Sequence, residues 1–286
     1  MTSDFVVRFL FEDLDIRGAF VRLGDAWRAM QARRDYPAAV RDLLGEMTAV
    51  TVLIGGNLKQ PGRIGFQLKG SGPVRLLVID CTEQLQIRGM AQADDDVSAT
   101  DAPTLLGHGH LTFLLQHEAV REPYQSIVPL VGETIAQIFE HYLAQSEQQP
   151  ARLWLAANAM SAVGLFLQKL PEADAKDADG WTRIEHLAAT ASANEMHTLP
   201  VEALLTRLFA DETLRVYTPR AVSYECPEDR DKVVSMLRSL GRAEVAEAIA
   251  EQGVLVVKDD ICNHEYHFDV SDLDELFPPE APPTLH

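Results

Sequence analysis

The sequence predicts an α+β protein with a large N-terminal domain built on a mixed α/β sheet, a helical linker, and a small C-terminal α+β domain of zinc-module type. Three observations support this prediction. Segments with an apolar period of two alternate with amphipathic helical segments in the first 170 residues. An acidic, Ala-rich segment without apolar period, Pro171 to Gly180, follows. Two of the three cysteines then lie in the last part of the chain. We therefore predict domains at 1–178, 179–223 and 224–286.

Composition limits the classes of partner. The 286 residues are 47% hydrophobic, which is enough for a buried core. A formal charge of -18 repels phosphate backbones and anionic lipid, so we expect neither nucleic acid nor membrane as a partner. The N-terminal residues do not read as a secretion signal, and three cysteines fit a reducing compartment. The sequence therefore predicts a cytoplasmic protein.

The first predicted domain contains a hairpin. Residues 64–68 and 74–78 alternate apolar and polar side chains around the turn Gly70-Ser71-Gly72-Pro73. Two helices are predicted at 38–53 and 135–143, the second from apolar residues at helical spacing. Further strands are predicted at 85–90, 111–115, 124–131, 153–157 and 163–170.

The second predicted domain, the linker, holds two helices. Thr182 and Glu185 have the spacing of a capping box, and Pro200 fits the first turn of the next helix. That helix presents one apolar stripe, named here the linker stripe: Val201, Leu204, Leu205, Leu208 and Phe209. Two helices make a poor core alone, so we expect the linker stripe to dock on another surface, from which it can be released.

The third predicted domain is small. It contains helices at 232–240 and 243–251 separated by Gly241, then strands at 254–258 and 265–268. Domains of about 55 residues are marginally stable without a metal or a crosslink. The Pro-rich end of the chain is predicted to be disordered.

Cys226 and Cys262 are the redox-switch candidates, and each resembles half of a two-cysteine metal knuckle. Where the second thiolates would stand, the chain has Glu228 and Asp259. Three interpretations remain open: zinc bound by both thiolates with Asp259, Glu228 or His264; a disulfide closing a loop of about 37 residues, worth roughly 4 kcal/mol; or two small apolar residues in a metal-free domain. We favour the metal-free interpretation and assign no cofactor.

Other reactive residues give weaker signals. Cys81 lies in a predicted strand and is expected to be a buried core thiol, and the pair His108 and His110 is a weak metal signal. The segment Gly70 to Pro73 lacks the Lys-Ser/Thr ending of a phosphate loop, and the chain has no Gly-x-Ser-x-Gly elbow. We predict that the protein is not an enzyme.

Many segments match, in order, the redox-regulated heat-shock chaperone family, the 33-kilodalton chaperonins. The resemblance covers nearly the whole chain and is carried by Arg8-Phe9-Leu10-Phe11-Glu12, Ile16-Arg17-Gly18, Tyr36-Pro37, Gln67-Leu68-Lys69-Gly70-Ser71-Gly72-Pro73, Arg88-Gly89, Leu106-Gly107-x-Gly109, Tyr124-Gln125, Gly132-x-Thr134, Ser146-Glu147-Gln148, Gln168-x-Leu170-Pro171, Leu199-Pro200-x-Glu202, Leu205-x-Arg207-Leu208-Phe209 and Tyr217-x-Pro219.

The resemblance implies an ATP-independent holdase that binds unfolding proteins under stress, as a homodimer when active. In that family a Cys-x-Cys and a Cys-x-x-Cys pair hold zinc when reduced, and oxidation forms two disulfides, releases zinc and unfolds the C-terminal domain. Here Cys226 matches the first cysteine of Cys-x-Cys, with Glu228 at the second. Cys262 matches the second cysteine of Cys-x-x-Cys, with Asp259 at the first. Neither local disulfide can form.

Two functional hypotheses follow. The first is a holdase with an altered redox switch, activated with less dependence on oxidant, whose client surface includes the linker stripe. The second is a degenerate paralogue that acts as a partner-binding scaffold without chaperone activity.

Overall fold

A computed structural model describes residues 4–58, 62–116 and 124–278. The chain forms two compact units, Met1–Glu225 and Cys226–His286. Both contain helices and strands, which confirms the α+β prediction. The helices of the predicted linker belong to the first unit. The three-part division drawn from the sequence stays a prediction.

The first unit is built on two sheets of six strands each. The first sheet has the order β10-β1-β2-β9-β8, and β11 also pairs with β1. Its strands are β1 (Phe5–Phe11), β2 (Ile16–Leu23), β8 (Ala151–Ala157), β9 (Ala162–Lys169), β10 (Leu214–Val216) and β11 (Arg220–Ala221).

The second sheet has the order β12-β5-β4-β3-β6-β7, and only the short β12 pairs in parallel with its neighbour. Its strands are β3 (Arg63–Gly70), β4 (Val74–Cys81), β5 (Gln86–Ala93), β6 (Gly109–Gln116), β7 (Tyr124–Pro129) and β12 (Ser223–Tyr224). The predicted hairpin is confirmed as β3 and β4, with Phe66 opposite Ile79. Gly70 ends β3 where a Cβ atom would lie 2.2 Å from the carbonyl oxygen of Leu106, so only glycine fits.

Eight helices accompany these sheets in the described part of the first unit: α1 (Asp25–Gln31), α2 (Ala38–Gly56), α3 (Ala102–Leu106), α4 (Ile135–Glu147), α5 (Ala173–Lys176), α6 (Gly180–Ala188), α7 (Ala193–Thr198) and α8 (Val201–Leu208). Helix α2 contacts strands of both sheets and is buried along most of its length. It therefore lies in the main core of the unit, together with the apolar face of α4.

Strands β1 and β2 were not predicted from the sequence. Most of their residues are buried, on both sides of each strand, because both faces of the first sheet are covered. One face contributes to the main core around α2. The other face forms a second core with α6, α7 and α8. A strand buried on both sides lacks the period of two by which half-buried strands are recognised.

The observed first residues of the helices in the second core agree only in part with the sequence predictions. The predicted capping box of Thr182 and Glu185 is wrong, because α6 begins at Gly180 and has no side-chain cap. A capping box is instead formed by Ser192 and Glu195 at the start of α7. Helix α8 begins directly after Pro200. The surroundings of a polar pair, rather than its spacing, decide where a helix begins.

The second unit contains two helices, a hairpin and a short C-terminal helix. These are α9 (Arg230–Leu240), α10 (Arg242–Gln252), β13 (Leu255–Lys258), β14 (Glu265–Phe268) and α11 (Leu273–Leu276), with a 3-10 turn at Val270–Asp272. Gly241 separates the helices with a φ of +98°, which disfavours any other residue. Seven buried residues form the core: Val233, Leu237, Val245, Ile249, Tyr266, Phe268 and Leu276. The Pro-rich end predicted to be disordered falls, from residue 279 on, outside the described residues.

Within the described segments, no helix combines the length and the apolar character that crossing a bilayer would require.

Candidate functional site

Cys226 and Cys262 lie together in the second unit and are paired at disulfide distance. Their Cα atoms are 6.0 Å apart, within the range that a disulfide spans. Cys262 is buried and Cys226 is half-buried. The two positions are 36 residues apart in sequence, so their pairing encloses α9, α10 and β13 in one loop.

His264 is the third member of this group. Its imidazole is buried, and Nε2 lies 2.7 Å from the carbonyl oxygen of Cys226. Because a carbonyl oxygen only accepts hydrogen bonds, Nε2 must carry a proton and donate. Nδ1 lies 3.5 Å from Oε1 of Glu228, whose side chain is exposed. A protonated Nε2 on a backbone carbonyl is the usual second contact of a histidine whose other nitrogen binds metal.

The side chain of Asp259 is hydrogen-bonded within the turn between β13 and β14. Its Oδ1 accepts hydrogen bonds from the backbone N–H groups of Ile261, at 2.9 Å, and Cys262, at 2.6 Å. Its own backbone groups pair with His264 and Asn263. The Asp259 carboxylate therefore fixes the turn between β13 and β14, and the turn places Cys262 and His264 beside Cys226.

The sulfur atoms of Cys226 and Cys262 and one imidazole nitrogen of His264 all lie within 4.8 Å of one another. In the described segments this is the one group of three or more metal-ligating side chains. Sulfur and imidazole donors are those that zinc prefers, and a structural zinc site uses four. In their reduced form the three residues supply three of the four donors that such a site uses. Cysteine binds metal as a thiolate, so a disulfide and a metal exclude each other here.

The ligand set named from the sequence was Cys226, Cys262, Asp259 and Glu228. The structure brings His264 into the group with the two sulfurs, while Asp259 is engaged by the turn and Glu228 faces His264. That four-residue set stays a prediction. His264 was one of the further ligands considered from the sequence, and it reaches the sulfurs through a turn in which Asn263 has a left-handed φ of +55°.

The other reactive residues lie apart from this group. Cys81 is a free thiol buried in the main core, as predicted, and burial raises its pKa to about 12. It is therefore protonated and unreactive at physiological pH. His110 lies on β6 and His108 precedes that strand. Neither belongs to the group of metal-ligating residues.

The linker stripe is fully covered in the first unit. Each of its five residues is at most 2% exposed. The ring of Phe209 lies 5.0 Å from that of Phe11 and 6.2 Å from that of Phe9, so the stripe packs on β1. The expected docking surface is thus a face of the first sheet. Client binding by these residues stays a prediction.

Comparison with known proteins gives consistent results. The model of the family described as Hsp33 protein matches residues 4–269. The chain is 38% identical over 280 residues to the 33 kDa chaperonin of Methylobacillus flagellatus, covering 97% of this chain and 96% of the relative. It is 40% identical over 270 residues to the 33 kDa chaperonin of Nitrosococcus oceani, covering 94% and 93%. The crystal structure of the heat shock protein 33 homolog of Thermotoga maritima matches with a TM-score of 0.79 at 21% identity, over 95% of this chain and 97% of that one.

Proposed function

Since the chain belongs to the Hsp33 protein family, we propose that it is an ATP-independent holdase that binds unfolding proteins under heat or oxidative stress and prevents their aggregation. The family membership supports the chaperone class, and the named relatives are 33 kDa chaperonins. The alternative, a scaffold without chaperone activity, is not favoured by any contact described above.

The observation that carries the proposal is the buried linker stripe. Four large apolar side chains of α8, together with Phe209 directly after it, are buried in the second core, which the first sheet forms with α6, α7 and α8. Releasing α8 would expose this surface, and each 100 Å² that a client then buried would contribute roughly 2.5 kcal/mol before ordering costs. This surface suits the exposed apolar segments of an unfolding protein, and using it requires no nucleotide.

The switch differs from that of four-cysteine relatives. One cysteine remains in each half-site, so the pair available to oxidants in the second unit is Cys226 with Cys262. Closing a loop of this length stabilises the folded unit by about 4 kcal/mol on the chain-entropy model. Oxidation therefore keeps this unit folded. Activation follows heat more than oxidant.

The reduced protein offers a metal site with a revised ligand set. We infer that zinc, where bound, is held by Cys226, Cys262 and His264, with Asp259 left to its turn. A bound zinc would crosslink the same two ends of the unit that the disulfide joins. Elemental analysis with thiol counting tests this inference. Zinc retained by a His264→Ala variant with unchanged affinity contradicts it.

The holdase proposal is tested by light scattering from a heat-labile client without nucleotide, with and without hypochlorite. We expect suppression of aggregation at elevated temperature in reductant and in oxidant alike. A Cys226→Ser, Cys262→Ser double variant should retain suppression, since heat rather than oxidation uncovers the linker stripe. Inhibition relieved only by mild peroxide and restored by reductant would contradict the altered switch.

Two variants on α8 connect that activity to the linker stripe. Leu204→Ala removes a fully buried contact and should lower the temperature at which suppression begins, because docking is weakened. Glu202→Gln changes an exposed side chain on the same helix and serves as the control. Absence of suppression in every condition would contradict the holdase proposal and favour the scaffold.

Further proposals concern location and partners. The chain is proposed to act in the cytoplasm, on unfolded clients, as a homodimer when active. Its net charge of -18 repels nucleic acid and anionic membranes, so neither is proposed as a partner. Light scattering of the active protein, giving its mass in solution, tests the dimer.

A further inference from the structure

Polar contacts, separate from the linker stripe, fix the junction between α7 and α8 to the first sheet. Arg22 of β2 donates from Nη2 to the carbonyl oxygens of Met196 and Leu199, at 2.6 Å each. Its Nε donates to the same Met196 oxygen at 3.2 Å. The Met196 carbonyl would bond the N–H four residues on in a continuing helix, but that residue is Pro200, which has none. Arg22 therefore supplies the donor that the chain lacks there.

His197 makes the second polar contact of this junction. Its Nδ1 lies 2.7 Å from the hydroxyl oxygen of Ser161, in the turn between β8 and β9. The Ser161 backbone N–H is itself fixed by the side chain of Asn158. Two neighbouring residues of α7, Met196 and His197, are thus anchored to two different parts of the same sheet.

The charges around His197 disfavour a proton on its ring. Burial lowers the pKa of His197, the Arg22 guanidinium lowers it further, and Asp42 on α2 opposes both. On the helices that carry the junction, Glu195 of α7 and Arg207 of α8 are paired with each other at 2.7 Å. When the junction leaves the sheet, His197 enters water and moves away from Arg22. The released state therefore binds a proton more readily than the docked state.

We propose that Arg22, Ser161 and His197 form a polar latch that keeps α7 and α8 on the first sheet, and that protonation of His197 opens it. Acid would then uncover the linker stripe by a route that uses neither Cys226 nor Cys262. The expected effect on chaperone activity rests on the proposed function. The opening of the latch by acid does not depend on that function.

The direction of the pH effect follows from the lowered pKa. Docking is at full strength above about pH 6.5, the ordinary pKa of histidine, and weakens as pH falls through that value. One linked proton increases the opening equilibrium by at most about tenfold for each pH unit. Below the pKa of the docked state the effect levels off.

Hydrogen exchange of the full-length protein from pH 8 to pH 5.5 tests the latch, after correction for the intrinsic pH dependence of exchange. We expect the protection of residues 193–209 to fall with pH in the wild type. His197→Gln keeps a polar group without a titrating ring, so its protection should be independent of pH in this range. Arg22→Gln should lower protection at every pH. His267→Gln replaces an exposed histidine on β14 and should respond as the wild type does.

Two outcomes would overturn the latch. One is wild-type protection that stays constant across this range, a result that does not depend on any variant folding. The other is the same pH response in His197→Gln and the wild type. If acid opens residues 193–209 but aggregation of a client is not suppressed, the latch stands and the holdase proposal fails.

Discussion

Asp259 illustrates how one carboxylate can organise the turn that carries Cys262. Its Oδ1 accepts the backbone N–H groups of Ile261 and Cys262, which are the donors that a turn of this kind leaves unpaired. Metal-bound sulfur could accept the same donors. A carboxylate at this position therefore preserves the turn whether or not a metal is present, and the placement of Cys262 does not depend on zinc.

We expect Asp259→Ala to destabilise the second unit by about 1 to 3 kcal/mol, because two backbone donors lose their acceptor. Asp259→Asn retains an oxygen at Oδ1 and should lose less than half as much. Thermal unfolding of the second unit, followed by circular dichroism, measures both. Equal losses in the two variants would show that charge, rather than the acceptor oxygen, matters.

At this scale, the sequence identified Cys226 and Cys262 as candidates and left their pairing as one of three open interpretations. Cysteine is scarce in the chain, so the proximity of Cys226 and Cys262 was open to prediction. The roles of Asp259 and His264 were not open to prediction. A carboxylate can bind metal or accept hydrogen bonds in a turn, and an imidazole can bind metal or donate a hydrogen bond. Only the path of the backbone between β13 and β14 distinguishes these roles.

At the scale of elements, strands were harder to predict from the sequence where helices cover both faces of their sheet. The hairpin of β3 and β4 alternates clearly enough to be predicted. Strands β1 and β2 have buried residues pointing to both faces, since α2 lies near one face of their sheet and α6 to α8 cover the other. The sequence predicted that the linker stripe docks on another surface. It did not predict that this surface is a face of the first sheet.

The two capping boxes allow a direct test of how α6 and α7 begin. Ser192→Ala removes the acceptor for the backbone N–H of Glu195 and should cost about 1 kcal/mol in the first unit. Thr182→Ala alters the predicted cap, which is an exposed position inside α6, and should change stability by less than about 0.5 kcal/mol. Chemical denaturation measures both. A larger loss for Thr182→Ala would contradict the observed start of α6.

At the scale of the whole molecule, the chain contains two units with separate cores. The first unit has two extensive apolar clusters, whereas the second has one cluster of seven buried residues. A core of that size gives a small domain only marginal stability, so a covalent or metal crosslink has a large relative effect on it.

Calorimetry should therefore show two transitions, with the second unit unfolding first. Reductant should lower the temperature of that transition, because the disulfide contributes about 4 kcal/mol, and should leave the other unchanged. The Cys226→Ser, Cys262→Ser variant should match the reduced protein and be insensitive to reductant. A single transition for the whole chain would contradict independent units.

The loop that joins Cys226 to Cys262 also determines how the oxidised protein responds to a protease. Because α9, α10 and β13 all lie inside the loop, one cut between residues 227 and 261 leaves both fragments covalently attached. The nicked chain would migrate as one band on a denaturing gel without thiol and separate into two once thiol is added. Cellular proteases would thus need more cleavages to separate the oxidised form into free fragments than they need for the reduced form.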